Sequence, residues 1–112
     1  MNDCIFCRIV RQEIPADIVY EDERLLAFRD IKPQAPVHIL IIPKQHIPSH
    51  LQLADYSLVA EVARVVNELA VKLQISQTGF RVVNNALNDG GQEVAHIHWH
   101  LLGGRKMTWP PG

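Results

Sequence analysis

The hydrophobic residues of this 112-residue chain follow a strand-like pattern over much of its length. Residues 37–43, "VHILIIP", are almost all apolar and often β-branched, which predicts a central strand. "IVYE" (18–21) and "LLAFRD" (25–30) are separated by the charged "DER" and predict a hairpin. "GFRVVNN" (79–85) and residues 96–102 predict two further strands, so we expect about five strands.

One segment follows the helical period instead. Between residues 56 and 74 apolar side chains recur every three or four positions, at Leu58, Val62, Val66, Leu69 and Leu73. This stripe predicts one long helix that packs on the sheet, although part of it could form a dimer seam. Asp55 is expected to be its N-cap. We also predict a short helix over residues 4–11 and a glycine-bearing loop at "ALNDGGQE", residues 86–93.

These elements define the expected fold class, which is α+β. A parallel sheet would need a helix at each crossover between strands, so one long helix and a short N-terminal helix favour an antiparallel sheet. No repeat or low-complexity linker divides the sequence, and we therefore expect a single domain over residues 1–112.

Composition argues against several classes of function. Hydrophobic residues make up 47% of the chain, charged residues 21%, and the formal net charge is −1. These values are ordinary for a globular protein and offer no basic surface for nucleic acid or an anionic membrane. "MNDCIFCRIV" lacks the features of a signal peptide, and no apolar run reaches the length of a membrane span. We expect a cytoplasmic protein without nucleic-acid or membrane partners.

Three of the six histidines fall within five residues, in "AHIHWHLLGG" (95–104), as His96, His98 and His100. On a strand alternate side chains share a face, so these imidazoles would form one row while the apolar residues between them face the core. Imidazole is suited to proton transfer, nucleophilic attack or metal ligation near neutral pH. The apolar neighbours disfavour the alternative, a coincidental polar face on an edge strand.

The two cysteines, Cys4 and Cys7, form the motif "CIFC". In a reducing compartment such a pair is more often metal-binding or redox-active than a structural disulfide. A thioredoxin-like motif follows a strand, and no strand is predicted before Cys4. Zinc is the favoured interpretation, with redox-active or inert cysteines as the alternatives.

The loop before the three histidines has the chemistry of an anion site. Gly90 and Gly91 allow backbone N–H groups to approach a phosphate, and Asn85 and Gln92 can donate side-chain hydrogen bonds. Such donors recognise a phosphate without net positive charge.

At "HIHWHLL" the chain resembles the His-x-His-x-His-x-x signature (x hydrophobic) of the histidine triad (HIT) family of nucleotide hydrolases and transferases. The resemblance extends from "CIFCRIV" through "VHILIIPKQHI", and "DGGQ" and the terminal "LLGGRKMTWPPG" resemble the Hint branch, the purine nucleoside phosphoramidases. It implies a HIT-like fold and cleavage of the P–N bond in an adenosine or guanosine 5′-phosphoramidate. The products would be an amine and a purine nucleoside 5′-monophosphate.

The resemblance implies roles for three histidines. His98 would be the nucleophile and would carry a nucleotidyl intermediate that water then hydrolyses. His100 would lie beside the α-phosphate and assist the leaving group. His38 would hold the neighbouring imidazole in the correct tautomer, a role compatible with that of a buried core histidine. Imidazole attacks phosphorus while neutral and is a good leaving group afterwards.

The resemblance also implies a nucleotide-binding site. The base would lie in a hydrophobic cleft formed by Phe6, Ile9, Phe28 and Leu40. Each of these could equally be an ordinary core residue. The phosphate would be contacted by Asn85, Gln92 and the backbone near Val94. Asp30 would bind the ribose hydroxyls, unless it is only a turn residue before "IKP", and Asn84 is a less favoured alternative to Asn85.

A structural zinc site is implied by a feature of some family members. In those proteins a Cys-x-x-Cys pair near the N-terminus, a histidine after the central strand and the first triad histidine hold the metal. The corresponding ligands here are Cys4, Cys7, His46 and His96, a sound set for closed tetrahedral zinc. His50 is the less favoured alternative to His46. The zinc would attach the N-terminal segment to the triad strand rather than activate water.

Two further features concern the substrate and the assembly. Animal members of the Hint branch carry a serine directly after "GGQ", whereas this chain has Glu93. A carboxylate there must turn away from phosphate, stay protonated or act on the amine. The terminal "WPPG" resembles a tail that reaches toward the partner's active site in Hint dimers, which implies a homodimer in which Trp109 influences the leaving group. A frayed tail is the alternative.

Two other functions compete with that of a phosphoramidase. Dinucleoside polyphosphate hydrolysis is the activity of the Fhit branch, and the "GGRKMTWPPG" tail argues against it. A nucleotide-binding scaffold that acts through protein partners is the second alternative. The intact set of His38, His98 and His100 argues against a loss of catalysis.

Overall fold

The computed structural model describes residues 3–112. The strands are β1 (Ile18–Glu21), β2 (Leu25–Arg29), β3 (Val37–Pro43), β4 (Phe80–Val83) and β5 (Trp99–Gly103). The helices are α1 (Ile5–Val10), α2 (Ser57–Lys72) and α3 (Leu87–Gly90), and a 3-10 turn spans His50–Gln52. The strands form one antiparallel sheet in the order β1-β2-β3-β5-β4. The predicted α+β fold with a five-stranded antiparallel sheet is therefore confirmed.

The last strand departs most from its predicted bounds. β5 begins at Trp99, although the alternating pattern predicted a start at residue 96. The His96 N–H bonds with the Val94 carbonyl at 2.8 Å, and the Ile97 N–H bonds with the Ile47 carbonyl at 2.7 Å. These two N–H groups form hydrogen bonds outside the β3–β5 ladder, so the predicted start of the last strand at residue 96 was wrong.

α2 is the predicted long helix, and its buried stripe belongs to the core cluster beneath it. The buried residues are Leu58, Val62, Val65, Val66, Leu69 and Ala70. Asp55 accepts hydrogen bonds from the backbone N–H and the hydroxyl of Ser57, at 3.0 and 2.6 Å. Asp55 therefore makes the capping hydrogen bond expected of it, although the helix bounds place Tyr56, whose backbone is already helical (φ −71°, ψ −11°), directly before Ser57. Among residues 3–112 no helix is long and apolar enough to cross a membrane.

α3 lies inside the segment predicted as a glycine-bearing loop. Gly91 follows this single turn in the left-handed conformation (φ 79°), and its N–H bonds with the Asn88 carbonyl at 3.0 Å. A side chain at this φ is strained, so a glycine is favoured there. The connection between β4 and β5 is therefore more ordered than the loop prediction implied.

The two faces of the sheet bury different sets of residues. On β3, Ile39 and Ile41 belong to the core cluster that contains the α2 stripe. Leu40 points to the opposite face and packs in a second cluster with Phe6 of α1. Alternation along the strand places His38 on the same face as Leu40. The candidate chemistry of the chain therefore lies on the α1 side of the sheet.

Candidate active site and metal cluster

A cavity of about 680 Å³ opens on the α1 side of the sheet. Its apolar lining includes Phe6, Ile9, Ile14, Phe28, Leu40 and Val94. Its polar lining includes Asp30, His38, Asn85, Glu93, His98 and His100. The structure therefore brings most of the predicted nucleotide-binding residues to one site.

His98 lines this cavity and is only 6% exposed. Its Nδ1 lies 2.8 Å from the His96 carbonyl oxygen, so Nδ1 carries the proton and donates it to that carbonyl. The lone pair is left on Nε2. The Phe6 ring meets the His98 ring edge-on, with centroids 5.1 Å apart, and restricts its rotation. A neutral imidazole held in this way can act as a nucleophile.

His38 and His100 form a hydrogen-bonded pair beside His98. The Gln34 backbone N–H donates to His38 Nδ1 at 3.0 Å, which leaves the proton of neutral His38 on Nε2. His38 Nε2 lies 2.9 Å from His100 Nδ1 and donates to it, so neutral His100 carries its proton on Nε2. The rings of His98 and His100 are 5.0 Å apart between centroids. These two neighbours thus offer complementary groups, a lone pair and an N–H donor.

Burial keeps this pair neutral. Desolvation lowers the pKa of His100 to about 4, with smaller contributions from His98 and His38. Desolvation also lowers the pKa of His38, against the opposing charge of Asp30. Asp30 Oδ2 lies 3.5 Å from His38 Nε2, a polar contact rather than an ion pair when His38 is neutral. Asp30, His38 and His100 are close enough to ligate a metal, but the proton that Gln34 leaves on His38 Nε2 disfavours this.

Gln92 is used differently from its prediction and is not part of the cavity lining. Its Nε2 donates to the Pro48 and Val94 carbonyls at 2.7 and 2.9 Å. Its Oε1 accepts from the Leu87 N–H at 2.9 Å. The amide therefore shapes the loop, and the contact of Gln92 with phosphate stays a prediction.

The neighbouring asparagines have separate positions. Asn85 lines the cavity, in agreement with its preference over Asn84 as a ligand residue. Asn84 Nδ2 instead donates to the His98 carbonyl at 2.8 Å and holds the backbone of that histidine. Sequence reasoning missed this role because only the pairing of β4 with β5 brings the two residues together.

Three other predicted residues have distinct environments. Asp30 Oδ1 accepts from the Lys32 N–H at 2.7 Å, which leaves Oδ2 as the better acceptor for a ligand. Glu93 is exposed and lines the cavity. Trp109 is 81% exposed and does not line the cavity of its own chain. A role for Trp109 at an active site therefore requires another copy of the chain.

Cys4, Cys7, His46 and His96 form a second group, the Cys–His cluster, whose ligand atoms all lie within 4.8 Å of one another. The Sγ–Nδ1 separations are 3.4 Å for Cys4–His96, 3.2 Å for Cys7–His46 and 3.6 Å for Cys7–His96. The two Nδ1 atoms are 3.2 Å apart. Tetrahedral zinc at its usual bond lengths has S···N edges of about 3.5 Å and N···N edges of about 3.3 Å. The donor set and its spacing fit zinc.

The backbone orients His96 for this cluster. His96 Nε2 lies 2.8 Å from the Pro43 carbonyl and donates to it, so the lone pair is on Nδ1, the atom that faces the sulfurs. His50 is exposed and lies outside the cluster, so the geometry favours His46 over His50. All four predicted ligands thus come together.

Comparisons with known proteins agree with this architecture. The family model described as HIT domain matches residues 11–107. An uncharacterized HIT-like protein of Synechococcus elongatus is 51% identical over 113 residues, covering 99% of this chain and 98% of the relative. The 14 kDa zinc-binding protein of Zea mays is 50% identical over 117 residues, covering 96% and 87%. The structure of a HIT family hydrolase from Legionella pneumophila Philadelphia 1 has a TM-score of 0.95 and 53% identity, covering 98% of this chain and 100% of that one.

Proposed function

The chain belongs to the HIT domain family, and on that premise we propose that it is a purine nucleoside phosphoramidase. It hydrolyses the P–N bond of adenosine or guanosine 5′-phosphoramidates to an amine and a nucleoside 5′-monophosphate. Two similar structures are described as HIT family hydrolases, which supports hydrolysis as the kind of reaction. The substrate class rests on the Hint-like motifs and on the chemistry of the cavity.

The observation that carries the proposal is the complementary protonation of His98 and His100. His98 Nε2 attacks phosphorus as the P–N bond breaks, and the electron pair of that bond passes to the amine nitrogen. The His100 Nε2–H donates a hydrogen bond to the departing amine, which takes its proton from solvent, and the nucleotide stays bonded to His98. Water then attacks phosphorus, gives its proton to solvent, and releases the monophosphate from His98. His38 keeps His100 in the required tautomer throughout.

The rest of the cavity supports a purine nucleotide as the bound group. Phe6, Ile9, Phe28 and Leu40 line an apolar cleft with room for a base. Asp30 offers a carboxylate oxygen to the ribose hydroxyls. Asn85 and the backbone near Val94 are the proposed phosphate contacts, and they add donors without adding charge.

The deciding experiment is hydrolysis of adenosine 5′-phosphoramidate by the wild type and by His98→Ala. Loss of the nucleophile is expected to lower kcat at least about 1000-fold while AMP binding persists. His50→Ala is the matched control, because this exposed histidine lies outside both groups, and it should retain wild-type turnover. Equal turnover in wild type and His98→Ala, or none in either, would contradict the proposal. Faster cleavage of a dinucleoside polyphosphate would favour the alternative hydrolase, and binding without turnover would favour the scaffold.

We propose that the Cys–His cluster holds a structural zinc ion. The separations among its donors fit tetrahedral coordination, and one curated relative is named as a zinc-binding protein. The four side chains would close the coordination shell and leave no position for a water nucleophile. The metal would supply a rigid link between α1 and the backbone at His96.

The proposal includes a cytoplasmic homodimer of single-domain chains. β4 is an outer strand, and Phe80 and Val82 on it are 40% and 42% exposed. A second copy that covers these apolar side chains would also give the exposed Trp109 a partner site to reach. Trp109 would then contact the amine portion of the substrate.

A further inference from the structure

Glu93 is a carboxylate on the wall of a cavity that is proposed to bind an anion. It is exposed, and among residues 3–112 its side chain makes neither an ion pair nor a hydrogen bond. Glu93 therefore lies at the solvent-exposed rim of the cavity, where its charge acts on a group bound beside it.

The backbone on both sides of Glu93 is held in place. Gln92 is fixed by its three side-chain hydrogen bonds, described above. Val94 is partly buried and packs against the cluster that contains Phe6 and Leu40. Because both neighbours are anchored, the backbone of Glu93 has a fixed position at the rim of the cavity.

The charges around the cavity are unevenly distributed. Arg29 and Lys32 lie on the Asp30 side, and Arg29 pairs there with Asp17 at 3.4 Å. Glu93 is the charged side chain that the segment between β4 and β5 adds to the lining. If a substrate lies with its ribose at Asp30 and its phosphorus at His98, Glu93 is the charged side chain of the β4–β5 segment that its amine portion can meet.

We propose that Glu93 selects phosphoramidates whose amine portion carries a further positive charge, such as an ammonium or guanidinium group, and rejects those with an acidic amine portion. A cationic group offsets the repulsion between Glu93 and the phosphate, and an anionic one adds to it. Because Glu93 is exposed, solvent screens its charge, and at separations of about 4–6 Å such an interaction changes rates by about threefold to fivefold. This inference rests on the proposed phosphoramidase function.

The test uses three adenosine 5′-phosphoramidates of similar length, made from 1,4-diaminobutane, butylamine and 4-aminobutanoate. For the wild type, kcat/KM is expected to fall in that order. Glu93→Gln should reduce the ratio between the first and last substrates about fivefold to tenfold or more. The substrate made from butylamine should gain about twofold to threefold, because its phosphate is no longer repelled. Raising salt from about 0.05 to 0.5 M should weaken the wild-type preference because the site is open to solvent.

Asp89→Asn is the matched control, because Asp89 belongs to the same segment but does not line the cavity. It should keep the wild-type order and ratios. An unchanged ratio in Glu93→Gln, or a wild-type preference for the acidic substrate, would overturn the inference while leaving the phosphoramidase function intact.

Binding of AMP distinguishes a failure of the proposed phosphoramidase function from a failure of the proposed charge effect of Glu93. If the wild type hydrolyses none of the three substrates, the proposed function fails. Calorimetry with AMP then still tests the charge at residue 93, since the dianionic phosphate should bind about threefold to tenfold more tightly to Glu93→Gln. Equal AMP affinity in the two proteins would count against the contact itself.

Discussion

His96 and His98 are separated by one residue, belong to different groups of side chains and differ in their chemistry. In the Cys–His cluster, His96 donates its Nε2 proton to the Pro43 carbonyl and turns Nδ1 toward two sulfurs. At the cavity, His98 donates its Nδ1 proton to the His96 carbonyl and keeps Nε2 for the substrate. The residue type is the same, and the position of one backbone carbonyl decides which nitrogen is available. Backbone geometry therefore separates the proposed metal ligand from the proposed nucleophile.

The side chains around His96 and His98 add to the difference between the two histidines. Cys4 and Cys7 give the first group soft sulfur donors that favour zinc. The second group contains only imidazoles, linked through His38 to the backbone N–H of Gln34. Removing a side chain from one group should therefore leave the hydrogen-bond partners of the other group in place, because His98 uses the backbone carbonyl of His96 and not its ring.

Cys4→Ser tests the separation between the Cys–His cluster and the cavity histidines, and of the changes considered it is expected to have the largest effect. Loss of one ligand should release zinc and lower the free energy of unfolding by about 3–5 kcal/mol, since a structural metal contributes directly to folding. Metal analysis and chemical denaturation would measure both changes. A chelator should destabilise the wild type to the same extent and have no further effect on Cys4→Ser. One zinc ion per chain in purified Cys4→Ser would contradict the assignment.

A smaller effect, on catalysis alone, is expected from His38. His38→Ala removes the partner of His100 Nδ1 and should lower kcat about 10- to 100-fold with zinc content unchanged. His38→Gln keeps an N–H donor near the position of Nε2 and should recover part of the rate. Equal rates in the two variants would show that His38 acts through packing rather than through that hydrogen bond.

The smallest expected effect is the contribution of His100 to the pH dependence of the free energy of unfolding. His100 in the folded protein has a pKa of about 4, whereas an unfolded histidine titrates near about 6.5. The unfolded chain therefore binds more protons between these values. The free energy of unfolding is unaffected by this group above about pH 6.5 and should fall by roughly 1–2 kcal/mol as the pH drops to 4.

Urea unfolding of zinc-loaded wild type and His100→Gln over this pH range would measure the contribution of His100. His38, whose pKa is also lowered, acts in the same direction, and Asp30 and His98 face the same pair. His100→Gln should therefore give a shallower slope that is not flat. Identical slopes in the two proteins would contradict a neutral, buried His100.

Sequence patterns were sufficient for the sheet. The apolar run of β3 coincides with its predicted bounds, because a strand buried on both faces needs apolar residues at almost every position. The four residues of the Cys–His cluster were also recognisable from residue type and family resemblance, and folding brings them together from three segments of the chain. Alternation placed His96, His98 and His100 on one side of the chain even though only His100 belongs to a strand.

The remaining features depend on contacts that have no local pattern. β5 starts late because two N–H groups bond with Val94 and with Ile47, and the second lies far away in sequence. Gln92 bonds with Pro48, 44 residues away, so its side chain could not be assigned from the loop alone. The tautomers of His96 and His98 likewise follow from which carbonyl lies nearby after folding.

α1 belongs to both sites at once. The cysteine pair lies at its N-terminal end, and the Phe6 ring meets both the His96 and the His98 rings, with centroids 5.8 and 5.1 Å apart. If binding of zinc orders α1, the nucleotide then binds to a helix that is already ordered, and its binding free energy carries a smaller entropic cost. Thermodynamic reciprocity then requires each ligand to raise the affinity of the other by the same factor. If zinc and nucleotide bind as proposed, the metal-free protein should bind nucleotide more weakly, and bound nucleotide should lower the zinc concentration needed to fill the cluster.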